Sequence, residues 1–208
     1  MTITRREALV RGAGALAVGA VLPGAAAADD LSRDMIVGDP AAPVGGNPRG
    51  DVTLVAFLDY NCPYCKTSAP ALKRAVRADG RTRLVYKDWP ILGRTSVYGA
   101  KLALAAHRQG RYEAAHEALM ALKGASRPVT DLDEAVAAAG VDMARLKADA
   151  ARDDAAIVAL LKRNDAQAKG MGFPGTPIYL VGPLLVAEAP DEERFRAAIA
   201  KARERQKG

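Results

Sequence analysis

The chain contains two cysteines, Cys62 and Cys65, separated by only two residues. A disulfide between them would close a minimal loop, so it would remove little freedom from the unfolded chain and could not staple the fold. At the start of a helix, this spacing places the first sulfur against free backbone N–H groups and the positive end of the helix dipole. Both effects favour the thiolate, which is the reactive form. The pair therefore indicates redox chemistry, with Cys62 as the exposed sulfur that attacks or is attacked and Cys65 as the resolving sulfur.

A pair of cysteines at this spacing can also supply half of a zinc site, which needs four ligands. The two histidines of the chain are His107 and His116, and both lie in a segment of predicted helices remote in sequence from the cysteines. Ligand number therefore argues against zinc, and each histidine is better explained as a packing or surface residue. The sequence predicts no metal site.

The elements around the cysteines are predicted to form a strand–helix–strand unit. Val52–Leu58 is a nearly continuous apolar run, which is typical of a strand buried on both faces. Pro63 suits the first turn of the following helix, where its missing N–H costs little, and Gly80 ends that helix. A second strand is predicted at Leu84–Tyr86. This order implies a parallel pair with a right-handed crossover.

The rest of the chain is predicted to be a helical segment, a hairpin and a last helix. Residues 94–170 read as successive helices that end at glycines. Two strands, Pro177–Val181 and Leu184–Ala187, flank a tight turn, and an amphipathic helix follows from Asp191 to about Arg205. These elements predict one small sheet with flanking helices, interrupted by a helical insertion.

The first 28 residues have the three parts of an export signal. Arg5 and Arg6 are basic, Gly12–Leu22 is apolar but too short to span a bilayer, and small residues up to Ala28 offer a cleavage site. The adjacent arginines resemble a twin-arginine signal, and an ordinary secretory signal is the alternative. Either signal predicts export to the periplasm with cleavage near Ala28.

Composition and charge exclude several classes of protein. With 50% hydrophobic and 26% charged residues, the chain is neither disordered nor a disulfide-dense miniprotein. No apolar run after residue 30 approaches the roughly 20 residues that a membrane span needs. The formal net charge is +6, but the basic residues of the last helix alternate with acidic ones and no aromatic platform accompanies them. We therefore expect no binding to nucleic acid.

The residues around the cysteines resemble a known family. Phe57–Lys66, which reads FLDYNCPYCK, and the following Ala69-Pro70 resemble the thioredoxin superfamily, and most closely the bacterial DsbA-like thiol:disulfide oxidoreductases. Gly175-Thr176-Pro177 is similar to the cis-proline loop of that family, and residues 94–170 are similar to its helical domain. A glutaredoxin would share the Cys-Pro-Tyr-Cys motif, but glutaredoxins are short and lack such an insertion.

The resemblance implies an α/β thioredoxin fold, a central mixed sheet flanked by helices, with an inserted all-helical subdomain. The expected organisation is a signal peptide (1–28), an N-terminal arm (29–50), a thioredoxin-fold domain (51–93 and 171–208) and a helical insertion (94–170).

The implied activity is that of an exported enzyme that oxidises substrate dithiols through a redox-active Cys62–Cys65 disulfide, with no other cofactor. Pro63 and Tyr64 would tune the reduction potential. Thr176 and a cis-bonded Pro177 would lie beside Cys62 and bind an extended substrate peptide by strand addition. The expected partners are exported proteins with free thiols or disulfides and a membrane-bound redox partner.

One departure from the family concerns the proton on Cys65. Relatives often carry an acidic residue six positions before the first cysteine, where this chain has Ala56. Asp59 and Lys87 are nearby charged candidates, but neither matches the motif, and the role stays unassigned.

Two other functions remain open from the sequence. One is a periplasmic disulfide reductase or isomerase, and the other is a non-catalytic metal-binding or holdase-like protein. Isomerases that resemble this family carry a separate dimerisation domain, and residues 29–50 are too few for a domain with its own core. We therefore expect a monomeric oxidant.

Overall fold

The computed structural model describes residues 31–207, so the predicted signal peptide lies outside the described residues. The sheet has five strands in the order β1-β3-β2-β4-β5. The strands are β1 (Val44–Gly46), β2 (Val52–Leu58), β3 (Thr82–Asp88), β4 (Ile178–Val181) and β5 (Leu184–Val186). The helices are α1 (Arg33–Gly38), α2 (Pro63–Asp79), α3 (Arg94–His107), α4 (Tyr112–Ala121), α5 (Val129–Ala138), α6 (Met143–Arg152), α7 (Asp154–Gly170) and α8 (Glu192–Arg205).

The sheet is mixed, as the sequence predicts. Strands β2 and β3 are parallel and are joined by α2, whereas β4 pairs antiparallel with β2 and β5 antiparallel with β4. Strand β4 begins at Ile178 and not at Pro177, because proline has no N–H to donate to the ladder. The predicted thioredoxin fold with inserted helices is confirmed.

The apolar run of β2 separates two hydrophobic clusters. Leu54, Ala56 and Leu58 face the larger cluster, which is covered by α2, α8 and the helices of the insertion. Val55 and Phe57 face the smaller cluster, which is covered by α1 and α7. Because side chains alternate along a strand, a strand buried on both faces must be apolar at nearly every position. The face of the sheet on which a residue lies therefore decides whether it can reach the cysteines.

The predicted N-terminal arm contributes regular structure to the sheet. Its residues form α1 and then β1, which pairs antiparallel with β3 at one edge. Because β1 has only three residues, it is too short to show the alternation of apolar and polar residues from which a strand is predicted. Gly46 has a φ of 63°, and a Cβ there would lie 2.5 Å from the Thr82 carbonyl oxygen. Only glycine allows this turn to approach β3 so closely.

A buried charge cluster ties this N-terminal segment to the insertion. Asp39, at the end of α1, receives two hydrogen bonds from Arg163 of α7 at 2.8 and 3.1 Å. The ammonium of Lys87 lies 3.4 Å from the same carboxylate and 3.2 Å from the Met35 carbonyl oxygen. Burial lowers the pKa of Lys87 to about 8. The cluster joins β3, α1 and α7 on the side of the sheet away from α2.

No helix within residues 31–207 has both the length and the apolar character that crossing a bilayer requires.

Candidate functional site

The two cysteines lie where α2 begins, at the carboxyl end of β2. Cys62 is the N-cap of the helix, and its sulfur accepts a hydrogen bond from the Cys65 amide at 3.4 Å. The Cys62 amide donates to the Asp59 carbonyl oxygen at 3.1 Å, which closes the turn before the helix. Both cysteines are free thiols. The first turn of α2 carries no acidic residue, so the positive end of the helix dipole is not neutralised there.

The expectation that Cys62 is exposed is wrong for the residue as a whole. Cys62 is 3% exposed and Cys65 is fully buried. The sulfur of Cys62 is covered by the Thr176 loop and lies 3.2 Å from the Thr176 carbonyl oxygen. Pro63 and Tyr64 are exposed, Tyr64 at 68%. The dipeptide between the cysteines thus faces solvent, while the Cys62 sulfur beside it is almost wholly covered.

The environment separates the two thiols by acidity. A hydrogen bond from the Cys65 thiol is the largest cause that lowers the pKa of Cys62 to about 6. Burial opposes it, and the backbone amides of Cys65 and Tyr64 lower the pKa further. Burial raises the pKa of Cys65 far above its usual range. At neutral pH, Cys62 is therefore the thiolate and Cys65 is the thiol that donates to it.

We expect selective alkylation of Cys62 in the reduced protein at about pH 5. Only the thiolate reacts, and with a pKa of about 6 roughly a tenth of Cys62 is thiolate at that pH. The alkylation rate should rise as the pH passes through about 6 and level off above 7. Brief treatment with iodoacetamide followed by peptide mapping measures the site and the rate.

The reduced protein unfolded in urea is the control, because both cysteines should then react alike and only at higher pH. The folded-state pKa of Cys62 is lower than that of an ordinary thiol. Its ionisation therefore stabilises the reduced fold as the pH rises from about 6 to 9, and that contribution is lost as the pH falls through about 6. Preferential labelling of Cys65 in the folded protein would contradict the assignment.

The predicted cis-proline loop, Gly175-Thr176-Pro177, lies beside Cys62. The Thr176–Pro177 peptide bond is cis, as the resemblance implies. A cavity of about 370 Å³ lies between this loop and Tyr64, with residues 187–189 on its far side. The Thr176 hydroxyl is buried and has no hydrogen-bond partner within the described residues. The structure thus places Thr176 and Pro177 beside Cys62, and Tyr64 and the same loop line one cavity.

Asp59 supports the loops around the cysteines. One carboxylate oxygen accepts from the Asn61 amide at 2.7 Å and from the Ser96 hydroxyl at 2.6 Å. The other accepts from the amides of Ile91 and Leu92 at 2.8 and 2.9 Å. Four donors occupy this buried carboxylate, so it is a structural clamp between the turn at the cysteines and the segment before α3. It is poorly placed to take a proton from Cys65.

Lys87 cannot exchange a proton with Cys65 either, because it lies on the opposite face of the sheet. It pairs in register with Phe57, whose side chain points away from α2, and it belongs to the charge cluster with Asp39. On the α2 face, Ala56 lies opposite Tyr179, whose hydroxyl is 2.6 Å from that of Ser68. This pair of hydroxyls, which the sequence did not single out, is buried on the cysteine side of the sheet.

A further polar group that the sequence did not reveal lies between residues 59–62, before α2, and the insertion. The Tyr60 hydroxyl is 3.0 Å from Nδ1 of His116, and the ring of His116 stacks on that of Tyr112. The Tyr112 hydroxyl donates to Asp88 at 3.0 Å. Burial raises the pKa of Asp88 to about 7 and lowers that of His116 to about 3. His116 is thus a neutral packing residue. Packing is one of the two roles, packing or surface, that the sequence predicts for the histidines.

His107 lies exposed at the end of α3, with its ring edge-on to that of Tyr112. Within residues 31–207, no three His, Cys, Asp or Glu side chains are grouped so that they could hold a metal ion.

Comparisons with known proteins agree with this geometry. A family model described as a DSBA-like thioredoxin domain matches residues 53–200. The structure of a thioredoxin-like oxidoreductase from Silicibacter pomeroyi is 40% identical, with a TM-score of 0.77 over 83% of this chain and 98% of that one. The thiol-disulfide exchange protein alpha-DsbA2 from Wolbachia pipientis is 27% identical, with a TM-score of 0.75 over 81% and 90%. A periplasmic thioredoxin-like protein from Salmonella enterica serovar Typhimurium is 27% identical, with a TM-score of 0.69 over 82% and 95%.

Among curated proteins, the Na(+)/H(+) antiporter NhaA 1 of Salinispora arenicola is 32% identical over 104 residues. This match covers 48% of the present chain but only 14% of the antiporter, so the chain spans a small part of that relative's length.

Proposed function

The chain belongs to the family of DSBA-like thioredoxin domains, and on that premise we propose that it is a thiol:disulfide oxidoreductase that oxidises substrate dithiols. The Cys62–Cys65 pair is the redox centre and needs no other cofactor. The observation that carries the proposal is the contrast between the thiols, a Cys62 with its pKa lowered to about 6 beside a buried Cys65 with a raised pKa.

The exchange begins with the oxidised protein. A substrate thiolate attacks the Cys62 sulfur, the Cys62–Cys65 bond breaks, and Cys65 leaves with the electron pair and takes up a proton because its pKa is raised. A second substrate thiolate then attacks the substrate sulfur of the mixed disulfide and releases Cys62 as a thiolate. Two electrons have passed from the substrate dithiol to the cysteine pair. A thiol with a low pKa is a good leaving group, so the second step is fast in the direction of substrate oxidation.

The direction of the net reaction follows from the stability of the reduced form. The helix N-terminus, the Cys65 thiol and nearby amides all stabilise the Cys62 thiolate, which exists only when the pair is reduced. Stabilising the reduced form makes the protein a stronger oxidant. Pro63 and Tyr64, exposed between the cysteines, are the residues proposed to tune this potential.

Substrate binding is proposed for Thr176 and Pro177. The Thr176 carbonyl, 3.2 Å from the Cys62 sulfur, can accept a hydrogen bond from the amide of an extended peptide whose cysteine is attached there. Pro177 cannot donate a competing hydrogen bond. The adjoining cavity beside Tyr64 would accept a neighbouring side chain of the substrate.

We also propose that the protein is exported to the periplasm, where it works as a monomer on exported proteins with free thiols or disulfides and exchanges electrons with a membrane-bound redox partner. The basic and apolar leader supports export, and one structural neighbour is described as periplasmic. Tyr64, between the two cysteines, is exposed and lines a cavity beside the Thr176 loop, where a partner could dock.

The proposal is tested by equilibrating the protein with glutathione buffers and counting free thiols by the mass shift on alkylation. We expect a reduction potential above that of thioredoxin, which is about −270 mV, by on the order of 100 mV. The mature protein should oxidise a reduced substrate faster than it rescues a scrambled one, and it should sediment as a monomer. A thioredoxin-like potential would indicate a reductase, and a dimer that prefers scrambled substrate would indicate an isomerase.

A further inference from the structure

The segment of residues 122–128, between α4 and α5, is attached to the residues on either side of the cysteine pair. The ammonium of Lys66, next to Cys65, donates to the Gly124 carbonyl oxygen at 2.6 Å. With its side-chain amide oriented so that the nitrogen faces this segment, Asn61, next to Cys62, donates to the Ala125 carbonyl oxygen at 2.7 Å. The insertion therefore forms a wall beside the reactive sulfur.

A cavity of about 450 Å³ lies between this wall and α2. Its lining is mainly apolar, with Pro63 and Pro70 from α2 and Met120 and Leu122 from the end of α4. It is separate from the cavity beside Thr176, because the two linings share no residue. Pro63 lines the cavity beside the insertion, and Tyr64 lines the cavity beside Thr176. The cysteine pair thus has one cavity on the side of the cis-proline loop and another on the side of the insertion.

The rim of the cavity beside the insertion is basic. Lys66 and Lys123 line it, and Arg127 lies close enough to Lys66 to help burial lower the pKa of that lysine. Arg127 pairs with Asp131, but within residues 31–207 neither Lys66 nor Lys123 forms an ion pair with a carboxylate. The nearest acidic group on α4 is Glu117, which is already paired with Lys73 at 2.6 Å. The rim thus holds three cations, Lys66, Lys123 and Arg127, against two carboxylates, Asp131, which pairs with Arg127, and the buried Asp59, which attracts Lys66. Its net charge is therefore positive.

We propose that this cavity is a second substrate subsite, which binds an acidic residue and an adjoining apolar residue of the thiol substrate on the side of its cysteine away from Thr176. This rests on the proposed function, because the subsite is useful only to a peptide that exchanges disulfides at Cys62. The apolar lining accepts the apolar side chain, and the rim attracts the carboxylate. Aspartate or glutamate near the reactive cysteine would then mark a preferred substrate.

The test compares peptides that share one cysteine and one sequence and differ only in a residue beside that cysteine, which is Glu, Gln or Lys. The oxidised wild-type protein should form the mixed disulfide about fivefold faster with the Glu peptide than with the Gln peptide at low salt, and more slowly with the Lys peptide. The preference should shrink as the salt concentration rises. In the double variant Lys123→Glu/Arg127→Glu, the Glu peptide should form the mixed disulfide no faster than the Gln peptide, or more slowly.

The matched control is Lys201→Glu/Arg205→Glu, which changes the net charge equally in the last turns of α8. Both residues are exposed. Arg203 between them bonds Asp51, just before β2, and Asp79, at the end of α2 remote from the cysteines. This variant should keep the wild-type ratio. Equal rates for the Glu and Gln peptides, or a preference that survives in the Lys123/Arg127 variant, would overturn the subsite.

A separate measurement distinguishes failure of the subsite from failure of the proposed function. The neutral reagent 4,4′-dithiodipyridine reports whether Cys62 of the reduced wild-type protein is reactive without any peptide contact. If it reacts but no peptide of any charge forms a mixed disulfide with the oxidised protein, the proposed function is wrong. If all peptides react at one rate, the function stands and only the subsite is wrong.

Discussion

Replacing Cys62 by serine is expected to abolish disulfide exchange, with a loss on the order of a thousandfold or more. A serine hydroxyl is not ionised at neutral pH and forms no disulfide, so neither the attack nor the release step remains. Oxidation of a reduced model peptide in a glutathione buffer measures the loss. A Cys62→Ser protein that keeps its full effect in this assay would instead favour a holdase-like or metal-binding protein.

Two substitutions at Cys65 separate its roles. Both Cys65→Ser and Cys65→Ala should accumulate the mixed disulfide at Cys62, because the resolving sulfur is gone. They should differ in the acidity of Cys62, since the hydrogen bond from Cys65 is the largest cause of its lowered pKa. Serine keeps a donor at that position and alanine does not, so the pKa of Cys62 should be higher in Cys65→Ala. Equal pKa values in the two variants would show that the helix N-terminus alone sets the acidity.

Replacing Asp39 by alanine is expected to lower the free energy of unfolding by about 3–5 kcal/mol, because it leaves Arg163 and Lys87 buried without their shared carboxylate. The melting temperature should fall by about 10 °C or more for a domain of this size. The loss is limited because Lys87, whose pKa is already lowered to about 8, can give up its proton. Thermal unfolding followed by circular dichroism measures it.

Asp154→Ala is the control for the Asp39 variant. Asp154 pairs with Lys101 on the surface, and this exposed pair should contribute far less to stability. In the Asp39→Ala background, Lys87→Met should restore part of the lost stability because it removes one of the uncompensated charges. A loss for Asp39→Ala no larger than that for Asp154→Ala would mean that the cluster contributes little.

The sequence by itself determined the elements around the cysteines, because local interactions decide them. The apolar run of β2, Pro63 in the first turn of α2 and the left-handed Gly80 at its end each act within a few residues. The acidity of Cys62 follows in part from the same local geometry, since a cysteine at a helix N-cap faces free amides. The resemblance of the FLDYNCPYCK segment to a known family supplied the rest of the fold.

The tertiary structure alone decided which distant groups meet. Cys62 is covered by Thr176, 114 residues further along the chain, so its exposure could not be read from its own segment. Lys87 is adjacent to the cysteine strand in the sheet, yet the alternation of side chains turns it to the opposite face, where its partner is Asp39. The basic wall at residues 122–128 is brought to Cys62 by the packing of the insertion. Such contacts depend on the register of the sheet and on how helices pack, which are fixed only when the whole chain folds.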